Sequence, residues 1–198
     1  MTSSLALILH WAVGIPALLV LFFPLDALLP AGVQARTYEE VLAKRKEVGL
    51  RPWRWQVLWL LEPLRACGAA WLFREVLKSH EETASPYALG IALACGVVLQ
   101  LWTKREPLTA WAPIGFCAGL LLLLLPWWAA GVALVCGGAG VMWMRTWSAF
   151  FLAGAVILAL TTLYPPVRAA AALGAWLLVL PLVARVLFQC KLVLPSRA

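Results

Sequence analysis

Glu62 and Arg65 stand inside an apolar run, in the stretch LWLLEPLRACG from Leu58 to Gly68, where hydrocarbon would favour neither. Three residues apart, a carboxylate and a guanidinium meet on one face of a helix. At 100° per residue Arg54 falls on that face as well. Pro63 lies between them, removing a backbone donor and kinking the helix one turn back. Such a pair has two main uses. It neutralises itself and pins helix packing, or it forms a polar site near the membrane midplane that meets a substrate, an ion or a lipid headgroup. A tilted or shallow segment would let it reach water. A charged residue at mid-span costs roughly 2.5–3.5 kcal/mol, against about −0.3 to −0.6 kcal/mol for each Leu, Ile, Val or Phe. About nine such apolar residues supply about −3 to −5 kcal/mol and the pair opposes with about +5 to +7 kcal/mol. This helix must therefore face protein or water, and Glu62, Arg65 and Arg54 are the candidate binding residues.

Other chemistry is thinly represented. The chain has two histidines, His10 in the first apolar run and His80 in KSHEETASP, so paired haem ligation within the bilayer is not expected. HEETA begins like H-E-x-x-H but lacks the second histidine, and no G-x-S-x-G, P-loop or Asp-rich metal motif occurs. Cys67, Cys95, Cys117, Cys136 and Cys190 are scattered without a C-x-x-C, which implies neither a disulfide framework nor a metal site. No catalytic residue, cofactor or metal is expected, and the sequence leaves open whether the chain is an enzyme while leaning against it.

The elements that carry these residues are membrane elements. Of 198 residues 64% are apolar and 13% charged, with a mean hydropathy of +0.89; soluble domains carry roughly 25% charged residues. A spanning helix takes about 20 apolar residues. Charges and prolines then divide the chain into seven predicted spans near 5–29, 55–77, 86–103, 108–125, 127–144, 147–164 and 169–190. The first run lacks a basic n-region and is too long for a signal peptide, so it is expected to stay as a helix. The expected fold is an all-α polytopic bundle in a single integral membrane domain. Many of the twelve tryptophans, among them Trp53, Trp55, Trp102, Trp111, Trp143 and Trp147, fall at span ends, where an interfacial belt would hold them.

Basic residues fix the threading. With seven spans and the N-terminus outside, one side receives Arg36, Lys44, Arg45, Lys46, Arg51, Arg54, Lys104, Arg105, Arg145, Arg185, Lys191 and Arg197; the other receives only Arg74, Lys78 and Arg168. The positive-inside rule makes the richer side, with the C-terminus, cytoplasmic. The net charge of +7 is then a matter of topology, and nucleic acid is not an expected partner.

Between the first two spans, ARTYEEVLAKRKEVGLRP reads as a connector helix over 37–49. Thr37 and Glu40 make a capping box, and Gly49 and Pro52 close the segment. Lys44, Arg45, Lys46 and Arg51 offer a docking face for a partner or for anionic lipid. Small residues recur at helical spacing, as Gly115/Gly119, Ala92/Gly96 and the glycines of CGGAG, and let helices approach closely. Short loops, packing faces and missing catalytic motifs point first to a non-catalytic integral subunit or scaffold of a larger membrane complex, a bacterial inner membrane fitting the compact loops. The expected partners are lipids and other membrane subunits or further copies of the chain. A small transporter, channel or lipid-handling protein using Glu62 and Arg65 is the second expectation, and an intramembrane enzyme the third.

Overall fold

In the computed structural model the described residues are 2–24, 33–48, 54–78, 85–101 and 108–197. Within them the side chains of 2–11, 33–34, 44–48, 54–60, 78, 85–86 and 195–197 lie outside the description. Eight α-helices are described: α1 (Thr2–Phe22), α2 (Tyr38–Val48), α3 (Arg54–Lys78), α4 (Ser85–Gln100), α5 (Ile114–Leu124), α6 (Trp127–Met144), α7 (Ser148–Thr161) and α8 (Arg168–Leu187). The chain is mostly helical, but not wholly so. Three strands, β1 (Val33–Arg36), β2 (Thr109–Trp111) and β3 (Lys191–Arg197), form a sheet in the order β1-β3-β2. β3 pairs antiparallel with β1 and parallel with β2.

The predominance of helix fits the expected all-α class, and the small sheet corrects two of the predicted spans. The predicted span at 108–125 begins in extended backbone, and its helix α5 has only 11 residues, about 16 Å at 1.5 Å per residue. The predicted last span to 190 ends at Leu187 and is followed by β3. Alternating apolar residues suit a strand as well as a helix when the backbone finds partners. Here Trp111 N–H donates to Leu101 O (3.1 Å), and Ala112 N–H donates to Val193 O (2.8 Å). Trp111, expected at an interface, is fully buried instead. Ala110, Trp111, Ala112 and Pro113 all lie inside the protein.

Two helices, α6 and the Pro165–Leu187 segment that contains α8, are long and apolar enough to cross a membrane. The apolar helices over 12–22, 87–100, 114–124 and 148–161 are shorter. The most extensive packing joins α6 with α7, α3 with α5, α7 with α8 and α1 with α3. Glycine makes the closest of these contacts possible. A Cβ on Gly119 would lie 2.8 Å from Pro63 Cα, so α5 crosses α3 backbone to backbone at the proline. Gly137 and Gly140 fit α6 against Phe150 and Ala149 of α7 in the same way.

Small residues share the interior with Leu and Phe side chains such as Phe116, Phe151, Leu177 and Leu178, while other large apolar residues face outward. α6 buries Ala129, Ala130, Ala133 and Gly137 while exposing Val135, Met142 and Trp143. α8 buries Ala171 and Gly174 while exposing Trp176, Val183 and Val186.

Candidate functional site

Hydrogen bonds and shared cavity walls gather, at one end of the bundle, the C-terminal ends of α1, α4, α6 and α8, the N-terminal ends of α5 and α7, and the sheet. Glu62 and Arg65 sit at this end. α1 stops at Phe22, ahead of Pro24, and like any helix leaves its last carbonyls without intrahelical partners. Arg65 fills that need from the neighbouring helix: its Nη1 donates to Val20 O (2.8 Å) and Phe23 O (2.7 Å). Nη2 pairs with the Glu62 carboxylate at 3.1 Å. The guanidinium also stands over the Phe116 ring, 5.6 Å from its centroid, within cation–π range. Gln100, from the last turn of α4 and buried, donates to Phe23 O (2.9 Å).

A cation at a helix C-terminus is favoured by the macrodipole by roughly 0.3–1 kcal/mol, and up to ~2 kcal/mol where partly buried. Hydrogen bonds to charged groups contribute about 1.5–3 kcal/mol each. Arg65 is therefore a clamp that joins α3 to the end of α1, with Glu62 as its counter-ion. Only its buried Nε–H has no acceptor among the described residues. The pair's level is set by helix ends, because its partners are the last carbonyls of α1, the last turn of α4 and the first turn of α5. The side chain of Arg54, expected on the same face, lies outside the described residues, as do those of Lys44, Arg45, Lys46 and Arg51. The same holds for the side chains of His10, His80, Trp53, Trp55 and Trp102. The five cysteines are free thiols.

α2 covers 38–48 of the expected 37–49, and one arm of its capping box is present: Thr37 N–H donates to Glu40 Oε2 (3.1 Å). Tyr38, at its first turn, packs edge-on against Trp147, with centroids 5.0 Å apart. Beneath this contact is a cavity of about 390 Å³ that sequence reading did not find. Its walls come from four places: the start of α2 (Glu39), the α6–α7 turn (Arg145, Trp147), the end of α8 (Arg185) and the start of β3 (Lys191). Arg185 donates to the Ser148 hydroxyl. A second cavity of about 330 Å³ adjoins it, sharing Thr37, Glu40 and Lys191.

Backbone strain concentrates here. Leu108, Arg145 and Gln189 are the non-glycine residues with left-handed φ (58°, 53° and 49°) among the described residues, and each lines one of these two cavities. For L-residues that conformation costs roughly 1–2 kcal/mol, and such outliers gather where function holds them. Arg145 occupies the αL cap of α6, a position glycine usually takes. The only advance signal was the lone Arg145 between two apolar helices.

Comparison of the chain with protein-family models, with curated proteins and with solved structures finds no match.

Proposed function

We propose that this chain is a multi-pass integral membrane protein, N-terminus outside and C-terminus cytoplasmic, that serves as a non-catalytic subunit or scaffold of a larger inner-membrane assembly. The observation that carries this reading is the commitment of Arg65. Both terminal nitrogens are engaged, with two α1 carbonyls and the Glu62 carboxylate. A transporter working through this pair would need the guanidinium free to meet its cargo, and a lipid-facing pair would be unstable. A clamp needs neither.

The outward surface supports membrane immersion on several helices beyond the two longest. Soluble monomers rarely expose contiguous apolar patches above roughly 300–600 Å². Here Leu19, Leu64, Ile91, Val135, Leu160 and Val186, from six helices, are all more than half exposed.

The subunit reading draws on α6. Gly119, Gly137 and Gly140 are filled by this chain's own helices, whereas a Cβ on Gly131 or Gly138 would meet nothing within 4 Å. Seven residues apart, these two glycines lie on one side of α6, where a helix of another subunit would approach closely. Native mass measurement of the chain in nanodiscs made from its own membranes tests this. The expected result is a complex heavier than the single chain plus lipid, reduced to the single chain by Gly131→Leu with Gly138→Leu while thermal stability is kept. A stable single chain in the unsubstituted protein would overturn the subunit reading.

A further inference from the structure

The cavity under the start of α2 is lined by groups that complement a particular ligand chemistry. Three exposed cations from separate elements line it, Arg145, Arg185 and Lys191. The guanidinium of Arg145 and the ammonium of Lys191 engage no partner among the described residues. The Nε1–H of Trp147, also in the wall, is buried without an acceptor. Buried donors left unmatched are uncommon in folded proteins and call for an acceptor. All three are donors, so the complement is an acceptor-rich anion, for which phosphate is the usual partner of such a fork.

The start of α2 brings the other sign to the same lining. The Glu40 carboxylate is engaged with the backbone N–H of Thr37, but Glu39, in the first turn of α2, has no partner among the described residues. A lining that combines unpaired cations with a free carboxylate suits a zwitterion with a phosphate at one end and an N–H-bearing amine at the other. The surroundings argue for a lipid as its source. Met142, Trp143 and Met144, leading up to Arg145, and Val186, Leu187 and Phe188, following Arg185, are all exposed and apolar. They offer acyl chains a path along α6 and α8 from the cavity mouth.

We propose that this cavity is a headgroup site for an amine-bearing phospholipid, its phosphate held by Arg145, Lys191 and Trp147 and its ammonium by Glu39. The inference rests on the membrane reading above.

The test is native mass spectrometry of the delipidated full chain in detergent, titrated separately with phosphatidylethanolamine, phosphatidylcholine and phosphatidylglycerol. Phosphatidylethanolamine should be retained in preference to the other two. Arg145→Ala and Lys191→Ala should each weaken its retention by about tenfold, the effect of one charge-assisted contact, with unchanged thermal unfolding. Glu39→Gln should abolish the preference for phosphatidylethanolamine over phosphatidylglycerol without reducing binding of the latter. Equal retention of all three lipids in the unsubstituted chain, or indifference to Arg145→Ala and Lys191→Ala, would overturn the proposal. Displacement of the lipid by millimolar inorganic phosphate alone would also overturn it, assigning the cations to a free anion. Extraction of the chain from membranes by alkaline carbonate separates the two readings: release would overturn the membrane reading and this one together, whereas a retained chain with no lipid preference would overturn this one alone.

Discussion

Arg65 does more than a charge partner for Glu62 would. Spacing in the sequence shows that the two can meet, and they do, at 3.1 Å. It does not show that the guanidinium also serves Val20 and Phe23, because those carbonyls come from a helix more than forty residues away. The difference changes what substitution should do. Were the pair only self-neutralising, replacing both residues by leucine would restore most of the stability lost on replacing one. With the clamp in place, Glu62→Leu should cost about 1–2 kcal/mol and Arg65→Leu about 3–5 kcal/mol, because the latter strands a largely buried carboxylate. The double leucine variant should recover only part of the loss. Val20 O is left without its Arg65 donor, at about 1–3 kcal/mol, while Gln100 still serves Phe23. Denaturation of the four proteins in one detergent measures this cycle. Full recovery in the double variant would mean that the carbonyl contacts contribute nothing.

At the scale of elements, helices with strong local signals were legible and the sheet was not. α6 was expected at 127–144 and is found there, because Pro126 starts it and Arg145 interrupts the apolar run. β2 was read as the first turn of a span. Thr109, Ala110 and Trp111 carry no pattern that separates strand from buried helix, and their partner strand lies eighty residues away. The glycines were legible as close-packing residues, but which would be filled from within the chain was not. That distinction is open to measurement. Gly119→Ala should destabilise strongly, since its Cβ would meet the backbone of Pro63, whereas Gly131→Ala should be neutral or slightly stabilising, as expected for glycine replaced in a helix. Removal of 191–198 should cost at least about 5 kcal/mol, because Leu192, Val193 and Leu194 are buried and each contributes roughly 1.5–3 kcal/mol. A truncated chain with unchanged thermal unfolding would mean the sheet is an ornament on the bundle.

At the scale of the whole molecule, the described basic residues divide between its two ends. Residues assigned by the positive-inside count to the cytoplasmic side include Arg36, Arg145, Arg185, Lys191 and Arg197. All five lie in the strands or helix ends gathered at the end that also holds the sheet and both cavities. Arg74 and Arg168, assigned outside, lie toward the other end, in the last turns of α3 and at the start of α8. α7 connects the two ends, with Ser148 beside Arg185 and Leu163 just beyond its far terminus, largely exposed. The most direct measurement of the central claim uses two single cysteines in a chain whose five native cysteines are replaced by alanine. Lys191→Cys and Leu163→Cys are labelled with a membrane-impermeant maleimide in right-side-out and in inverted vesicles. A bundle that crosses the membrane with its sheet in the cytoplasm should show Leu163→Cys labelled only in right-side-out vesicles and Lys191→Cys only in inverted ones. Labelling of both sites from the same side would contradict it.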